Sequence, residues 1–133
     1  MKILIVGYGS IGKRHFENLI KLGYSDIIIC TRNSQAKKLE KKGIKIIDSL
    51  NLAIQENPDV SIICNETSLH ISTSIKLAKN NSHLFIEKPL SNSLKNSSEL
   101  LKLVRRKKLL TMVGCNMRFH DGIRKIKKSL EKN

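Results

Sequence analysis

Continuous apolar runs alternate with helical periodicities along the whole chain. Strands are predicted at Lys2–Val6, Asp26–Cys30, Ile44–Ile47, Val60–Cys64, His83–Ile86 and Leu110–Gly114. Most of these runs are rich in Ile and Val without polar interruption, the pattern of strands buried on both faces of a parallel sheet. Helical patterns fill the gaps at Ile11–Leu22, Ser34–Lys42, Leu50–Asn57, Leu69–Asn80, Leu94–Lys107 and Gly122–Lys132. Ile71, Ile75 and Ala78 form one apolar stripe, and Leu100, Leu101 and Val104 form another. Gly23 and Gly43 follow helix ends, where a left-handed residue is wanted. Ser93 is the expected N-cap of the fifth helical segment. Strands alternating with helices imply an α/β, doubly wound parallel sheet. Right-handed crossovers give the strand order 3-2-1-4-5-6.

The 133 residues correspond to about one domain. No stretch approaches the ~18 apolar residues of a membrane span. The N-terminal apolar run is broken by glycines after Val6 and reads as a first strand rather than a signal peptide. A cytoplasmic protein without membrane contact is expected.

The net charge of +14 raises nucleic acid as a partner. Against it, the basic residues fall on helical patterns ("KKLEKK", "RRKK", "RKIKK"), and only 4% of residues are aromatic, too few for a stacking platform. From Leu100 to Asn133 there are eleven Lys or Arg and two Asp or Glu, so much of the excess is C-terminal. The reading is a solvated basic surface and no nucleic-acid partner. Cys30, Cys64 and Cys115 each follow an apolar run without a close partner. They read as reduced, buried thiols, and no metal site is expected.

The first strand runs directly into "GYGSIG", Gly7 to Gly12. A G-x-G-x-x-G between a strand and a helix is the dinucleotide fingerprint. Gly7 permits the tight turn, Gly9 lets the backbone approach a pyrophosphate, and Gly12 lets the helix pack on the strand. The helix N-terminus, with Ser10 and Ile11, offers free N–H groups to the anion. The alternative is a tight turn that binds nothing. The second strand ends without the acid that usually takes the ribose hydroxyls of NAD. Arg32 is placed to meet a 2′-phosphate instead, with Thr31, Asn33 and Ser34 as nearby donors. NADP is the expected cofactor and NAD the alternative. A solvated loop arginine is the other reading of Arg32.

"FIEKPLS" sets Glu87, Lys88 and Pro89 at the end of an apolar strand. Proline stops the strand, because it has no N–H to donate. That leaves the charged pair unexplained, and residues alone favour a surface lysine. With "GYGSIGKRH" (7–15), "NETSLH" (65–70), "EKP" (87–89) and "VGCNMRFH" (113–120) in order, the chain resembles the Gfo/Idh/MocA family, the glucose–fructose oxidoreductase and inositol dehydrogenase type. The resemblance spans essentially all residues.

That resemblance implies a two-domain NAD(P)-dependent oxidoreductase acting on hydroxyls of sugars, cyclitols and similar molecules. It puts Lys88 beside the bond where hydride moves, where a cation can orient a hydroxyl and stabilise a developing alkoxide. It implies a cis Lys88–Pro89 bond, a Glu87 that accepts a hydrogen bond or pairs locally, and His70 near the nicotinamide ribose. It sets Asn116 and Arg118 on the border of the cofactor and substrate pocket, and Asn65 is counted with the cofactor-binding residues. A histidine satisfied by a backbone carbonyl is the other reading of His70, and a structural arginine that of Arg118. His15 is expected to pack against the glycine turn. Many relatives carry Thr-Pro in place of Asn65–Glu66. Residues 1–120 are then the NAD(P)-binding Rossmann domain, and 121–133 a crossover helix toward a second α/β domain. That domain is not in this sequence and would close the substrate pocket. The chain alone is expected to bind cofactor without turning over substrate. A non-catalytic dinucleotide-binding module, docking to a partner, is the alternative.

Overall fold

A computed structural model describes residues 1–131; Lys132, the last residue of the predicted final helix, and Asn133 lie outside the described residues. Six parallel strands form one sheet: β1 (Ile3–Val6), β2 (Ile27–Cys30), β3 (Lys45–Ile47), β4 (Val60–Ile63), β5 (His83–Ile86) and β6 (Thr111–Val113). Their order is β3-β2-β1-β4-β5-β6, as the pattern predicts. Five helices accompany them: α1 (Ser10–Lys21), α2 (Leu50–Gln55), α3 (His70–Lys79), α4 (Ser97–Arg106) and α5 (Asp121–Leu130). Ser34–Lys42, expected as an α-helix, is a 3₁₀ segment, and shorter ones run over Thr67–Leu69 and Asn116–Phe119.

The apolar strands separate into two cores because successive side chains point to opposite faces. Leu4, Val6, Ile28 and Ile63 face α2, α3 and α4, meeting Ala53, Ile71, Ile75, Leu77, Leu100 and Leu103. Ile3, Ile5, Ile27, Ile29 and Ile62 face the other side, meeting Phe16 of α1 and Ala36. Leu4, Ile5, Ile29 and Ile63 are fully buried. Only the central strands follow the rule of burial on both faces. At the edges Lys45, Thr111 and Met112 are exposed. The α4 stripe also shifts: Leu103 takes the buried place expected of Leu101, which is 49% exposed.

Gly23 and Gly43 do adopt the left-handed conformation after their helices. The expected Ser93 cap does not form. α4 begins three residues later than its apolar pattern, behind Asn96 in a left-handed conformation with no side-chain cap bond. The helix start is tied to the preceding loop instead, with the Ser97 hydroxyl donating to the Leu94 carbonyl at 2.6 Å. No described helix is long and apolar enough to cross a membrane.

The cysteines do not share one environment. Cys30 is buried, Cys64 half-buried and Cys115 exposed, the last following β6 at the edge of the sheet. Burial pushes the Cys30 thiol up to about 11, with Asp48 adding to the effect and Arg32 opposing it. Burial likewise pushes Cys64 up to about 12, aided by the carboxylate of Glu87 and opposed by Arg14. Thiolate is the nucleophile, so raised values leave little reactive form below pH 9. A thiol-reactive disulfide reagent applied to the native chain at pH 8 should modify Cys115 alone. Labelling of all three residues at one rate before unfolding would contradict this environment.

Candidate cofactor site

The strand order reverses between β1 and β4, and a cleft opens there beyond the carboxyl ends of the strands, where α/β sheets place ligands. Its volume is about 800 Å³. The walls come from the turn after β1 (Gly7, Tyr8, Gly9), the end of β2 (Cys30 to Asn33), Asp48 after β3, and Cys64 to Glu66 after β4. Leu69, Ser72, Thr73 and Lys76 close the side next to α3.

The glycine turn has the geometry its spacing predicts. Gly7 has φ +93°, and a Cβ there would lie 2.7 Å from the Cys64 carbonyl and the Asn65 nitrogen. At Gly12 a Cβ would lie 2.1 Å from the Gly7 carbonyl oxygen, so helix and strand touch backbone to backbone. At Gly9 a Cβ would meet nothing within 4 Å. Gly9 is also the N-cap of α1, with no side-chain cap bond and no acid in the first turn. The positive end of α1 and its unpaired N–H groups therefore face the open side of the turn. Asn65 adds a further unmet demand. Its Nδ2 donates to Thr73 Oγ1 at 3.1 Å, while its Oδ1 is buried without a partner. Bare helix N–H groups, an open Gly9 and an orphaned amide oxygen together fit an anionic, hydrogen-bonding dinucleotide.

The other expected residues divide. Thr31, Arg32, Asn33 and Asn65 line the cleft with Gly7 and Gly9. Asn33 is partly committed to scaffold: its Nδ2 donates to the Tyr8 carbonyl and its Oδ1 accepts from the Gln35 N–H. Ser10 and Ile11 form the first turn of α1, with Gly12 buried beneath. Lys88 is exposed just after β5, is joined to Pro89 by a cis bond, and does not line this cleft. Asn116 and Arg118 lie exposed on the 3₁₀ segment after β6 and do not line this cleft.

His15 needs correction, and His70 takes the second of its two readings. His70 is 1% exposed, and its ring nitrogens face two backbone carbonyls, Pro89 and Asn65, each at 3.0 Å. It does not line the cleft but lies behind Asn65, which does. His15 does not pack on the glycine turn. Its Nε2 bonds Glu87 Oε1 at 2.8 Å, and its ring meets Phe85 edge-on at 5.2 Å. The partner of Glu87 is thus 72 residues away, alongside the local bond it accepts from the Lys88 N–H at 3.1 Å.

Asp48 was missed by sequence reasoning. It is the first residue beyond β3 and faces the same cleft as Arg32. The acid directly after "KII" carried a signal, but attention to the end of β2 alone overlooks it. Arg32 and Asp48 also border a neighbouring cavity of about 600 Å³, between the 34–42 segment, β3 and α2.

Comparison with known proteins agrees with this geometry. The profile of the oxidoreductase family with an NAD-binding Rossmann fold matches residues 1–115. The chain is 32% identical to the uncharacterized oxidoreductase YrbE of Bacillus subtilis over 96% of its own length and 39% of that protein's. It is 30% identical to the myo-inositol 2-dehydrogenase of Thermotoga maritima, covering 98% of this chain and 41% of that one. In solved structures, scyllo-inositol dehydrogenase from Lactobacillus casei with bound NAD(H) and scyllo-inositol superimposes with a TM-score of 0.84. At 21% identity over 99% of this chain and 41% of the other, it shows the shared fold. The chain spans about two fifths of the length of these relatives. With its glycine turn, strand order and matched residues, the chain belongs to the Gfo/Idh/MocA oxidoreductase family as an NAD-binding Rossmann domain.

Proposed function

We propose that the chain holds a nicotinamide dinucleotide along the carboxyl edge of its sheet, as the cofactor-binding part of an oxidoreductase acting on a sugar or cyclitol-like hydroxyl or carbonyl. The observation that carries this is the turn at Gly9, open on the side to which α1 presents its uncapped N-terminus. Gly7, Gly9, Ser10 and Ile11 would hold the pyrophosphate, and Thr31, Arg32 and Asn33 the adenosine end. Asn65 would offer its amide nearby. Bound nicotinamide supplies or accepts hydride. Lys88, exposed at the end of β5, would orient the reacting oxygen and hold positive charge against it. Glu87, Asn116 and Arg118 would border that end. The substrate class rests on the inositol dehydrogenases among the relatives.

A second polypeptide segment fits this reading. Met112, Met117, Phe119, Ile123, Ile126 and Leu130 expose large apolar groups from β6 to α5. A substrate-side domain of the kind implied by the family would cover them and exclude water from Lys88.

For the choice of dinucleotide, Arg32 supports NADP, since a guanidinium matches a phosphate dianion. NAD stands as the second reading, supported by Asp48 in the same cleft. Titrating the purified chain with NADPH and NADH, following cofactor fluorescence, decides between them. Under the NADP reading, Arg32→Ala should weaken NADPH about tenfold or more, the range for a bond to a charged group, and leave NADH nearly unchanged. An equal effect on both removes Arg32 as the phosphate reader. Failure of the unsubstituted chain to bind either cofactor overturns the reading for this chain.

A further inference from the structure

The segment Glu87–Pro89 is held from both sides by histidines that do not face the cleft. On one side, His15 of α1 binds Glu87 Oε1, while Glu87 Oε2 accepts the Lys88 N–H. On the other side, His70 faces the Pro89 carbonyl with Nδ1 and the Asn65 carbonyl with Nε2. We propose that His15 and His70 are positioning residues for Lys88: His15 fixes the residue before it and His70 the residue after it, tying the ends of β4 and β5 to α1. This rests on the assignment of Lys88 to the cofactor site made above.

The physical case is that both anchors are enclosed and costly to lose. The Glu87 side chain is 12% exposed and that of His15 is 18% exposed. A carboxylate in that setting needs a donor, and His15 supplies one across the sheet. Gly114 makes the room: a Cβ there would lie 3.3 Å from Glu87 Cδ and 3.1 Å from Phe85. At His70 both facing oxygens only accept, so the ring donates to one of them in either neutral tautomer and to both when doubly protonated. The Asn65 backbone that it engages abuts Gly7, so the anchor ends on the glycine turn itself. Lys88, exposed between two such anchors, has its backbone fixed while its amine stays free to reach out. A site held by a supporting layer in this way keeps its geometry better than one on an unsupported loop.

The test uses the whole chain, isotope-labelled, with NADPH or NADH, whichever binds more tightly in the titration. Lys88 side-chain resonances are assigned by their loss in Lys88→Gln and followed as cofactor is added. His15→Leu should lose the Lys88 response while cofactor affinity is retained; His70→Leu should lose the response and also weaken cofactor, because His70 holds Asn65 against Gly7. His15→Gln and His70→Gln, which restore a donor, should recover it. A purely structural histidine would move neither readout selectively. If His70→Leu does not fold, His15→Leu carries the test, with hydrogen exchange at the Lys88 amide as a second measure; faster exchange is expected there and not in β1. Leucine variants that respond like the unsubstituted chain overturn the proposal. An unsubstituted chain that binds cofactor with no Lys88 response overturns the assignment of Lys88, and this proposal with it. Absent cofactor binding is a separate failure, that of the functional reading.

Discussion

Gly12→Ala is expected to destabilise the chain by about 3 kcal/mol or more, the upper range for overpacking a close-packed site. An alanine in a helix ordinarily gains about 1 kcal/mol over glycine, so even the sign is diagnostic. The reason is the neighbour. A Cβ at Gly12 would lie 2.1 Å from the Gly7 oxygen and 3.0 Å from its carbonyl carbon. Those are backbone atoms and cannot swing aside. The Gly7 N–H is also committed to the Cys30 carbonyl at 2.9 Å, so the turn is fixed to β2. Relief requires α1 to lift from β1, exposing Phe16 from the core it shares with Ile3 and Ile5. Urea unfolding followed by circular dichroism measures the change. A neutral or stabilising Gly12→Ala would mean that helix and strand do not make this contact.

How much of this was legible in the sequence depends on how local each cause is. The sheet order follows from alternation and crossover handedness, and it emerges as expected. The glycine turn is equally local: three residues at fixed offsets between a strand and a helix. What failed was set by tertiary position. Edge strands β3 and β6 keep apolar residues beside Lys45 and Thr111, so Met112 and Cys115 read as buried, yet at the edge of the sheet both are exposed. The Ser93 cap failed because α4 starts only at Ser97, whose hydroxyl bonds back to the Leu94 carbonyl. His15 and Glu87 are 72 residues apart, and no spacing announces their pairing. His70 lies within a recognisable motif, yet whether its ring faces a cofactor or a pair of carbonyls is set by where β5 ends beside it. Asp48 shows the reverse case, a local signal present but unread, because the usual ribose contact is sought on the neighbouring strand.

Gly9→Ala is expected to leave the fold intact and abolish useful dinucleotide binding. Gly9 has φ −79° and ψ −166°, a conformation that alanine adopts without strain. Its Cβ would touch nothing within 4 Å. Stability should therefore change by no more than about 1 kcal/mol, with reduced freedom of the unfolded chain favouring alanine. The space that the methyl would enter is the mouth of the cleft in front of the α1 N-terminus. A pyrophosphate needs the backbone there at close range, and a methyl holds it off. Losing the helix N–H contacts should weaken binding by about a hundredfold, or close to 3 kcal/mol. Calorimetric titration with NADPH and NADH, beside the urea curve, gives both numbers from one preparation. The contrast with Gly12 separates two roles that the glycine motif merges: at one position a methyl collides with the protein, and at the other only with a ligand. A Gly9→Ala chain that binds cofactor as tightly as the unsubstituted one would place the pyrophosphate elsewhere, and the open turn would then be only a tight connection between β1 and α1.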